Sequence, residues 1–153
     1  MNIRFAFAVN KANFFEKKHF GDADKYLIYE QHSDKLILIS EETNTFKLLD
    51  EEQEHGSRKK SNAIINFLKG KKANALVSMQ FCKNIKMINR HFIPVKVTVE
   101  HPDEIIGLIE KHLHWIQDEW ERNSSDYKLF TISSGVMKSA IENKSEILKK
   151  SIT

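Results

Sequence analysis

The chain is predicted to fold as an α/β protein, with helices on both faces of a mixed sheet of about five strands. Three observations predict this three-layer α/β/α arrangement. An alternating apolar segment at residues 3–9 opens the chain. Two denser apolar runs, residues 25–31 and 36–39, are separated by a turn-like His32-Ser33-Asp34-Lys35 segment, which is typical of an antiparallel hairpin. Later segments alternate between strand and helix patterns, as in parallel crossover connections.

The first strand is predicted to have one bulky face and one small face. Large and small apolar side chains alternate along it: Ile3, Phe5, Phe7 and Val9 against Ala6 and Ala8. Such a strand fits the centre of a sheet, with a helix lying close over its small side.

The middle of the chain is predicted to contain a long polar loop at residues 41–60, a length that in a compact domain is usually functional or disordered. A helix at residues 62–69 follows, capped by Ser57 or Ser61 and ended by Gly70. The next elements are a strand at 73–79, a short helix at 83–91 and a strand at 93–99.

A long amphipathic helix is predicted from Pro102, a residue that fits the first helical turn. Its apolar stripe recurs at every third or fourth position: Ile105, Ile109, Leu113, Ile116 and Trp120. We expect the core domain to comprise residues 1–122. Residues 123–153 form an extension with a strand at 127–132 and a helix that starts at Val136. The extension is expected to pack on the core, form a dimer interface or bind a partner.

The composition is that of an ordinary globular protein, with 41% hydrophobic and 29% charged residues. Its net charge of +3, from 24 basic and 21 acidic residues, neither implies nor excludes nucleic acid. We expect a mixed solvated surface and no nucleic-acid partner. The single cysteine, Cys82, excludes an internal disulfide. No segment has the pattern of a secretory signal or a membrane span, so we expect a cytoplasmic location without membrane association.

The most informative local feature is His19-Phe20-Gly21, which lies between the first two predicted strands. An aromatic ring behind it and a glycine after it place His19 well to present its imidazole to a ligand. The alternative is that His19 hydrogen-bonds the neighbouring loop and orders it.

This arrangement of strand, polar loop, His19-Phe20-Gly21 and aromatic-aliphatic strand resembles the start of the nitrogenase iron–molybdenum cofactor biosynthesis family. These are the small NifX/NafY-like domains that also occur at the C-terminus of NifB-type proteins. His55-Gly56 lies in a charged loop, where many members carry a His-Gly loop, and the later element order agrees over roughly the first 120 residues. The resemblance implies an RNase H-like topology.

The resemblance also implies a cofactor-binding site. Family members are thought to hold iron–sulfur or iron–molybdenum clusters through few ligands, a histidine or a cysteine, with basic groups meeting the negative charge of the cluster. Carried onto this chain, the cofactor-binding positions are His19, Phe20, Gly21, His55, Gly56 and Cys82, with His19 and Cys82 as metal ligands. Imidazole is a suitable ligand for iron, and Gly21 would let a bulky anion approach the backbone.

Cys82 is expected at the edge of the sheet, between a strand and a helix, where open α/β sheets bind their ligands. A thiolate there would gain from the helix N-terminus. The alternative is a small buried apolar residue. Where relatives have a Gly-Ile-Gly-like turn, this chain has Gln80-Phe81-Cys82, a departure that removes the tightest backbone approach and adds a possible ligand.

Other chemistry-bearing residues are expected to be structural or solvent-exposed. His112 and His114 are two apart on a helix and so cannot chelate together, and His32, His91 and His101 occupy turn or helix-edge positions. Cations that could neutralise an anion, or be simply solvated, are Lys11, Lys17, Lys18, Arg58, Lys59 and Lys60. The sequence lacks a Cys-x-x-Cys motif and a phosphate-binding Gly-x-x-x-x-Gly-Lys loop. The first strand carries no carboxylate for a two-metal nuclease.

The leading hypothesis is therefore a non-enzymatic carrier of an anionic iron–sulfur or iron–molybdenum-type cluster, with a cluster donor or acceptor protein as its partner. The alternative is a metal-free interaction or regulatory module that retains the fold, with a homodimer formed through the C-terminal extension.

Overall fold

A computed structural model describes residues 2–49, 56–81 and 85–139, with the side chains of residues 56–58 excepted. It shows a mixed α/β fold with one sheet of seven strands and four α-helices among these residues. The strands are β1 (Arg4–Val9), β2 (Lys25–His32), β3 (Lys35–Thr43), β4 (Ala75–Ser78), β5 (Ile93–Val97), β6 (Phe130–Ser133) and β7 (Val136–Ser139). The helices are α1 (Gly56–Gly70), α2 (Ile85–Ile88), α3 (Pro102–Lys111) and α4 (Leu113–Arg122).

The strand order is β3-β2-β1-β4-β5-β6-β7. The first three strands form an antiparallel meander, while β1, β4, β5 and β6 are mutually parallel, and β7 returns antiparallel to β6. The carboxyl ends of β1, β3 and β4 therefore lie along one edge of the sheet, together with the start of β2, because Lys25 pairs with both Val9 and Thr43. We call this the carboxyl edge.

Two hydrophobic clusters lie on opposite faces of the sheet. The bulky side of β1 packs with α3 and α4, which contribute residues such as Ile109 and Ile116. The small side, Ala6 and Ala8, packs with α1 and α2 around Ile64. This division confirms the prediction from β1, because only the alanine face leaves room for a helix to approach closely.

The sheet has two strands more than predicted. The C-terminal extension contributes both of them, since β6 pairs with β5 and β7 pairs with β6. The predicted helix at Val136 is wrong over residues 136–139. Ser134 and Gly135 both have positive φ angles, 52° and 75°, which match a tight hairpin turn. Met137 is then buried while Val136 and Lys138 are exposed, as expected where successive side chains of a strand point to opposite faces. The remainder of that predicted helix lies outside the described residues.

Other element boundaries also differ from the prediction. The predicted loop at residues 41–60 is shorter, because β3 continues to Thr43 and α1 already begins at Gly56. The predicted helix from Pro102 is two helices that meet at His112, whose φ of −122° is not helical. The His112 Nδ1 atom lies 2.9 Å from the Leu108 carbonyl oxygen, and its ring lies 4.4 Å from that of Trp115. These side-chain contacts accompany the break.

Candidate functional site

The predicted site residues His19, Phe20 and Gly21 lie at the carboxyl edge, in the connection from β1 to β2. Phe20–Asp22 form one turn of 3₁₀ helix, and His19 is the residue that precedes it. The first turns of α1 and the segment that follows β4 lie beside this turn, through contacts at Lys60 and Gln80. We call these residues, His19–Asp22 together with Lys60, the histidine turn.

Phe20 anchors the histidine turn in the protein interior. Its side chain is fully buried, and its ring centroid lies 6.1 Å from that of Phe81. Its backbone N–H donates to the Gln80 carbonyl oxygen at 3.1 Å, and its carbonyl oxygen accepts from the Tyr26 hydroxyl at 2.8 Å. Burial raises the pKa of the Tyr26 hydroxyl, and the charge of Asp22 raises it further, so this donor keeps its proton.

His19 caps the 3₁₀ turn with its own imidazole. Its Nδ1 accepts a hydrogen bond from the Gly21 backbone N–H at 3.0 Å. In the neutral ring the proton is therefore on Nε2, which lies 3.3 Å from the Asp22 carboxylate. The side chain is only 17% exposed. Both ring nitrogens thus have partners within the turn.

Lys60 brings a buried ammonium group to the same turn. Its side chain is 3% exposed, and its Nζ lies 2.9 Å from Asp22. A buried cation needs a partner of this kind to offset the loss of hydration. Asp22 therefore connects two groups from distant parts of the sequence, since one carboxylate oxygen faces His19 and the other faces Lys60.

Gly21 is a position of close approach. A Cβ atom placed there would lie 2.8 Å from His19 Cε1 and 3.3 Å from Lys60 Cε. The His19 ring and the lysine stem therefore occupy the space that the absent side chain leaves, the space at which a bulky anion was expected to meet the backbone. The Gly21 carbonyl oxygen accepts from Asn44 Nδ2 at 3.0 Å, so Asn44, which is buried, ties the end of β3 to the turn.

A cationic depression lies beside the histidine turn. It has a volume of about 460 Å³ and is lined by Lys11, Asp24, Lys25, Thr43, Asn44, Lys47 and Leu48. The Lys47 ammonium lies 2.5 Å from Asp24, which also accepts from the Lys11 backbone N–H at 2.9 Å. The hydrogen bond from Lys47 lowers the pKa of Asp24, and the same contact raises the pKa of Lys47.

Two predicted site residues, His55 and Cys82, lie outside the described residues. Their described neighbours are Gly56, the first residue of α1, and Phe81, which is buried against Phe20.

The remaining histidines contact nearby residues of other kinds. His32 lies 2.8 Å from Glu30, and the His101 ring packs edge-on against Phe14 at 4.9 Å. Burial and the nearby cations Lys69 and Arg90 lower the pKa of His91. Within the described ranges, no group of three or more His, Cys, Asp or Glu residues is arranged to hold a metal ion.

Sequence reasoning missed three residues of this site: Asp22, Asn44 and Tyr26. A carboxylate three positions after His19 was a local signal for an ion pair. The roles of Asn44 and Tyr26 depend on contacts across the sheet and have no local signal. Lys60 was one of several candidate cations, and only the packing of α1 distinguishes it from the exposed Lys59.

Comparison with known proteins finds no family model that matches this chain and no match among curated proteins. None of the helices in the described part of the chain is long and apolar enough to cross a membrane.

Proposed function

We propose that this chain is a non-enzymatic interaction module in which the histidine turn holds the fold together. The observation that carries the proposal is the bonding of His19. Its Nδ1 accepts from Gly21 and its Nε2 faces Asp22, so the ring acts as a cap for the 3₁₀ turn. A metal ion needs a lone pair on one of these nitrogens, and coordination would require the ring to leave its cap.

The exposed apolar side chains support an interaction role. Ile37, Leu38 and Ile39 of β3 are 48%, 45% and 40% exposed, and Leu48 is 92% exposed. Single exposed apolar residues are common, but three in succession leave apolar side chains on both faces of the sheet at this edge, and another chain would cover them.

The first test is the state of His19. Nitrogen NMR of the purified protein is expected to show Nδ1 of His19 as a hydrogen-bond acceptor and the ring proton on Nε2. His19→Ala should lower the free energy of unfolding by about 1 kcal/mol, as expected for a lost cap, and leave the iron content of anaerobically isolated protein unchanged. His32→Ala is the matched control, because His32 lies outside the turn. Bound iron in the wild type that His19→Ala removes would overturn the proposal.

A second candidate function is the carrier role, with an anionic iron–sulfur or iron–molybdenum-type cluster as cargo and a donor or acceptor protein as partner. The cationic depression beside the histidine turn favours it, because three lysines line it: Lys11, Lys25 and Lys47. Lys25 faces Glu41 at 2.8 Å and Lys47 faces Asp24, so a cluster would share these two cations with carboxylates. The positive end of the α1 dipole points to the same edge. In this proposal His19 exchanges its cap for the metal, and Cys82 or His55 assists.

The carrier role is tested by anaerobic mixing with cluster, followed by charge-transfer absorption and EPR. It predicts weaker binding by His19→Ala and by Cys82→Ala than by the His32→Ala control. Equal weak binding by wild type and all variants would remove this candidate.

We also propose the finer fold assignment, a three-layer, RNase H-like topology for the part formed by β1–β5. It is supported by the antiparallel meander β1-β2-β3, by the parallel crossovers to β4 and β5, and by the two clusters with helices in each. We likewise propose kinship with the nitrogenase cofactor family, on the resemblance over roughly the first 120 residues. Neither assignment decides the function, because one fold serves many activities.

A further inference from the structure

A pocket lies between the sheet and the first turn of α3, on the face of the sheet that carries the bulky side chains of β1. Its volume is about 310 Å³, which is at the lower end of the range for small-molecule sites. Side chains of β2 and β3 form its floor, and the connection after β1 and the start of α3 form its walls. The residues that give it its chemical character are Phe14, Tyr29, Glu41, His101 and Asp103. We call this space the aromatic pocket.

The aromatic pocket lies between two elements that are joined at their far ends. Glu110, in the last turn of α3, accepts a hydrogen bond from the Leu36 backbone N–H at 2.8 Å, at the start of β3. The helix and the strand run in opposite directions, so Leu38 and Glu41 of β3 lie toward the first turn of α3. There the pocket separates them from Asp103. The floor and this wall are therefore held by the packing of the helix on the sheet.

Aromatic rings line the floor and one wall of the pocket. Tyr29 lies on the floor, where its ring packs against that of Phe7 with the centroids 4.7 Å apart. Phe14 lies in a wall, where its ring and that of His101 are in edge contact at 4.9 Å, and it is 40% exposed. The face of a phenyl or phenol ring is partly negative and attracts cations. The rings therefore favour a ligand that combines positive charge with apolar surface.

The charges around the pocket also favour a cation. Glu41 and Asp103 line it, and no lysine or arginine is among the described residues that do. Asp103 makes no ion pair with another described residue, whereas Glu41 contacts Lys25 at 2.8 Å. Burial raises the pKa of the Tyr29 hydroxyl, and the charges of Asp103 and Glu41 raise it further. Both carboxylates therefore act on the space beside this hydroxyl, which has no hydrogen-bond partner in the described part of the chain.

The N-terminus of α3 would by itself favour an anion. Its N–H groups are equivalent to about half a positive charge. The first turn of α3 also contains Asp103 and Glu104, however, and their negative charges exceed that of the positive helix end. The potential at this wall is therefore negative, which excludes an anion as the preferred ligand.

We propose that the aromatic pocket binds an organic ammonium ion, that is, a protonated amine with a short apolar chain. Its N–H groups donate to the Asp103 carboxylate and to the Tyr29 hydroxyl, and its chain contacts Phe14 and Leu38, which also lines the pocket. The amine is either a free molecule or the end of a lysine side chain on another protein, and the experiment distinguishes the two. This binding goes beyond the proposed interaction role and does not depend on it.

The first experiment is an NMR titration of the full chain with n-butylammonium. Saturable shifts are expected at the backbone amides of Asn13, Tyr29 and Asp103, with a dissociation constant of about 10 mM or tighter. n-Butanol and butyrate have the same chain length without the positive charge and should bind about tenfold more weakly. Equal binding of butanol, or no saturable shift at these amides, would overturn the proposal.

The second probe in this titration is N-acetyl-lysine amide, which presents the same ammonium group on a peptide-like backbone. Tighter binding than that of butylammonium would assign the amine to a lysine of a partner protein. Weaker binding would assign it to a free amine, because the blocked backbone would then be excluded from the mouth of the pocket.

The second experiment tests the lining residues. Asp103→Asn should weaken butylammonium binding about tenfold, and Glu41→Gln less, because Lys25 already shares that carboxylate. Glu104→Gln is the matched control: it removes a charge from the same turn of α3 outside the lining, and should leave binding unchanged. Tyr29→Phe keeps the ring and should weaken binding about threefold.

Circular dichroism checks that each variant keeps the fold. Equal weakening by Asp103→Asn and Glu104→Gln would show that the ligand responds only to the net charge of the helix end, and would overturn the site. The iron and NMR measurements on His19 report separately on the proposed function.

Discussion

The carboxyl edge of the sheet and the outer edge of β3 differ in the side chains that surround their backbone. At the carboxyl edge, the histidine turn and Asn44 fill the space beyond the strands and supply hydrogen bonds to the backbone of the connection. At β3, which no further described strand pairs, the Leu36 backbone N–H donates to Glu110 at 2.8 Å and the next three side chains are exposed and apolar. The first edge is thus filled by the chain's own polar groups, whereas the second carries exposed apolar side chains.

In the proposed function, the conspicuous motif and the interaction surface therefore do not coincide. His19-Phe20-Gly21 is the most distinctive sequence element, yet its side chains point into the protein's own structure. The apolar run of β3 is an ordinary strand sequence, and its position at the end of the sheet makes it notable. A polar network turned inward contributes to the stability of the fold, whereas exposed apolar side chains gain free energy only when another surface covers them.

The largest expected effect compares how much a side chain at each edge contributes to the free energy of unfolding. Phe20→Ala should lower the free energy of unfolding by about 3–5 kcal/mol, because it removes a fully buried ring and leaves a cavity against Phe81. Leu38→Ala should cost less than about 1 kcal/mol in monomeric protein, because Leu38 is already 45% exposed. Guanidinium unfolding of both variants checks this. Equal losses would mean that the carboxyl edge is no better packed than β3.

The next effect tests the ion pair of the histidine turn. Asp22→Asn leaves the Lys60 ammonium buried without its carboxylate, and we expect a loss of about 2 kcal/mol. Lys60→Met removes the charge together with its hydration cost and should lose less. Urea unfolding at neutral pH measures both. A larger loss for Lys60→Met would show that Asp22 does not compensate a buried charge.

Gly21 offers a test of close packing through a double-mutant cycle. Gly21→Ala should cost about 1–3 kcal/mol, because the new Cβ would lie 2.8 Å from the His19 ring. In a His19→Ala background the ring is absent, so the same change should cost clearly less. Thermal or chemical unfolding of the four proteins gives the coupling. Additive losses would show that the His19 ring and the Cβ atom added at position 21 do not overlap.

The smallest effect concerns acid pH. The hydrogen bond from Lys47 holds the pKa of Asp24 below its ordinary value. Because the folded-state pKa is lowered, the stabilisation is complete above the ordinary aspartate pKa of about 4 and is lost as pH falls through the lower folded-state value. Lys47→Met should raise the Asp24 pKa in an NMR titration and flatten the acid side of the stability profile. Lys35→Met is the control and should leave Asp24 unchanged.

The outer parts of the fold show where sequence reasoning was insufficient. A break after Lys111 was not predictable, because the apolar stripe continues through it and the break involves contacts of His112 with Leu108 and Trp115. The strand at Val136 was predicted as a helix, because spaced apolar residues beyond it suggested a helical stripe. The hairpin that Ser134 and Gly135 form with their positive φ angles was not predicted.

The candidate site was predictable only in part. His19, Phe20 and Gly21 were identified from order and residue type, and the capping role of His19 was among the alternatives considered. Asp22 contacts both His19 and Lys60, which are far apart in the sequence. The spacing of apolar residues predicts local secondary structure and cannot predict such a long-range contact. His55 and Cys82 lie outside the described residues, so their roles stay predictions.

The sequence by itself determined the mixed α/β class, the hairpin of β2 and β3, and the alternation that turns the alanines of β1 toward α1. These follow from local periodicity and turn chemistry, which act over a few residues. Only the tertiary structure decided that β6 and β7 extend the same sheet, that Lys60 is buried beside Asp22, and that the apolar run of β3 lies at the edge. Those outcomes depend on which distant segments meet, because burial and strand order are properties of the whole assembly of elements.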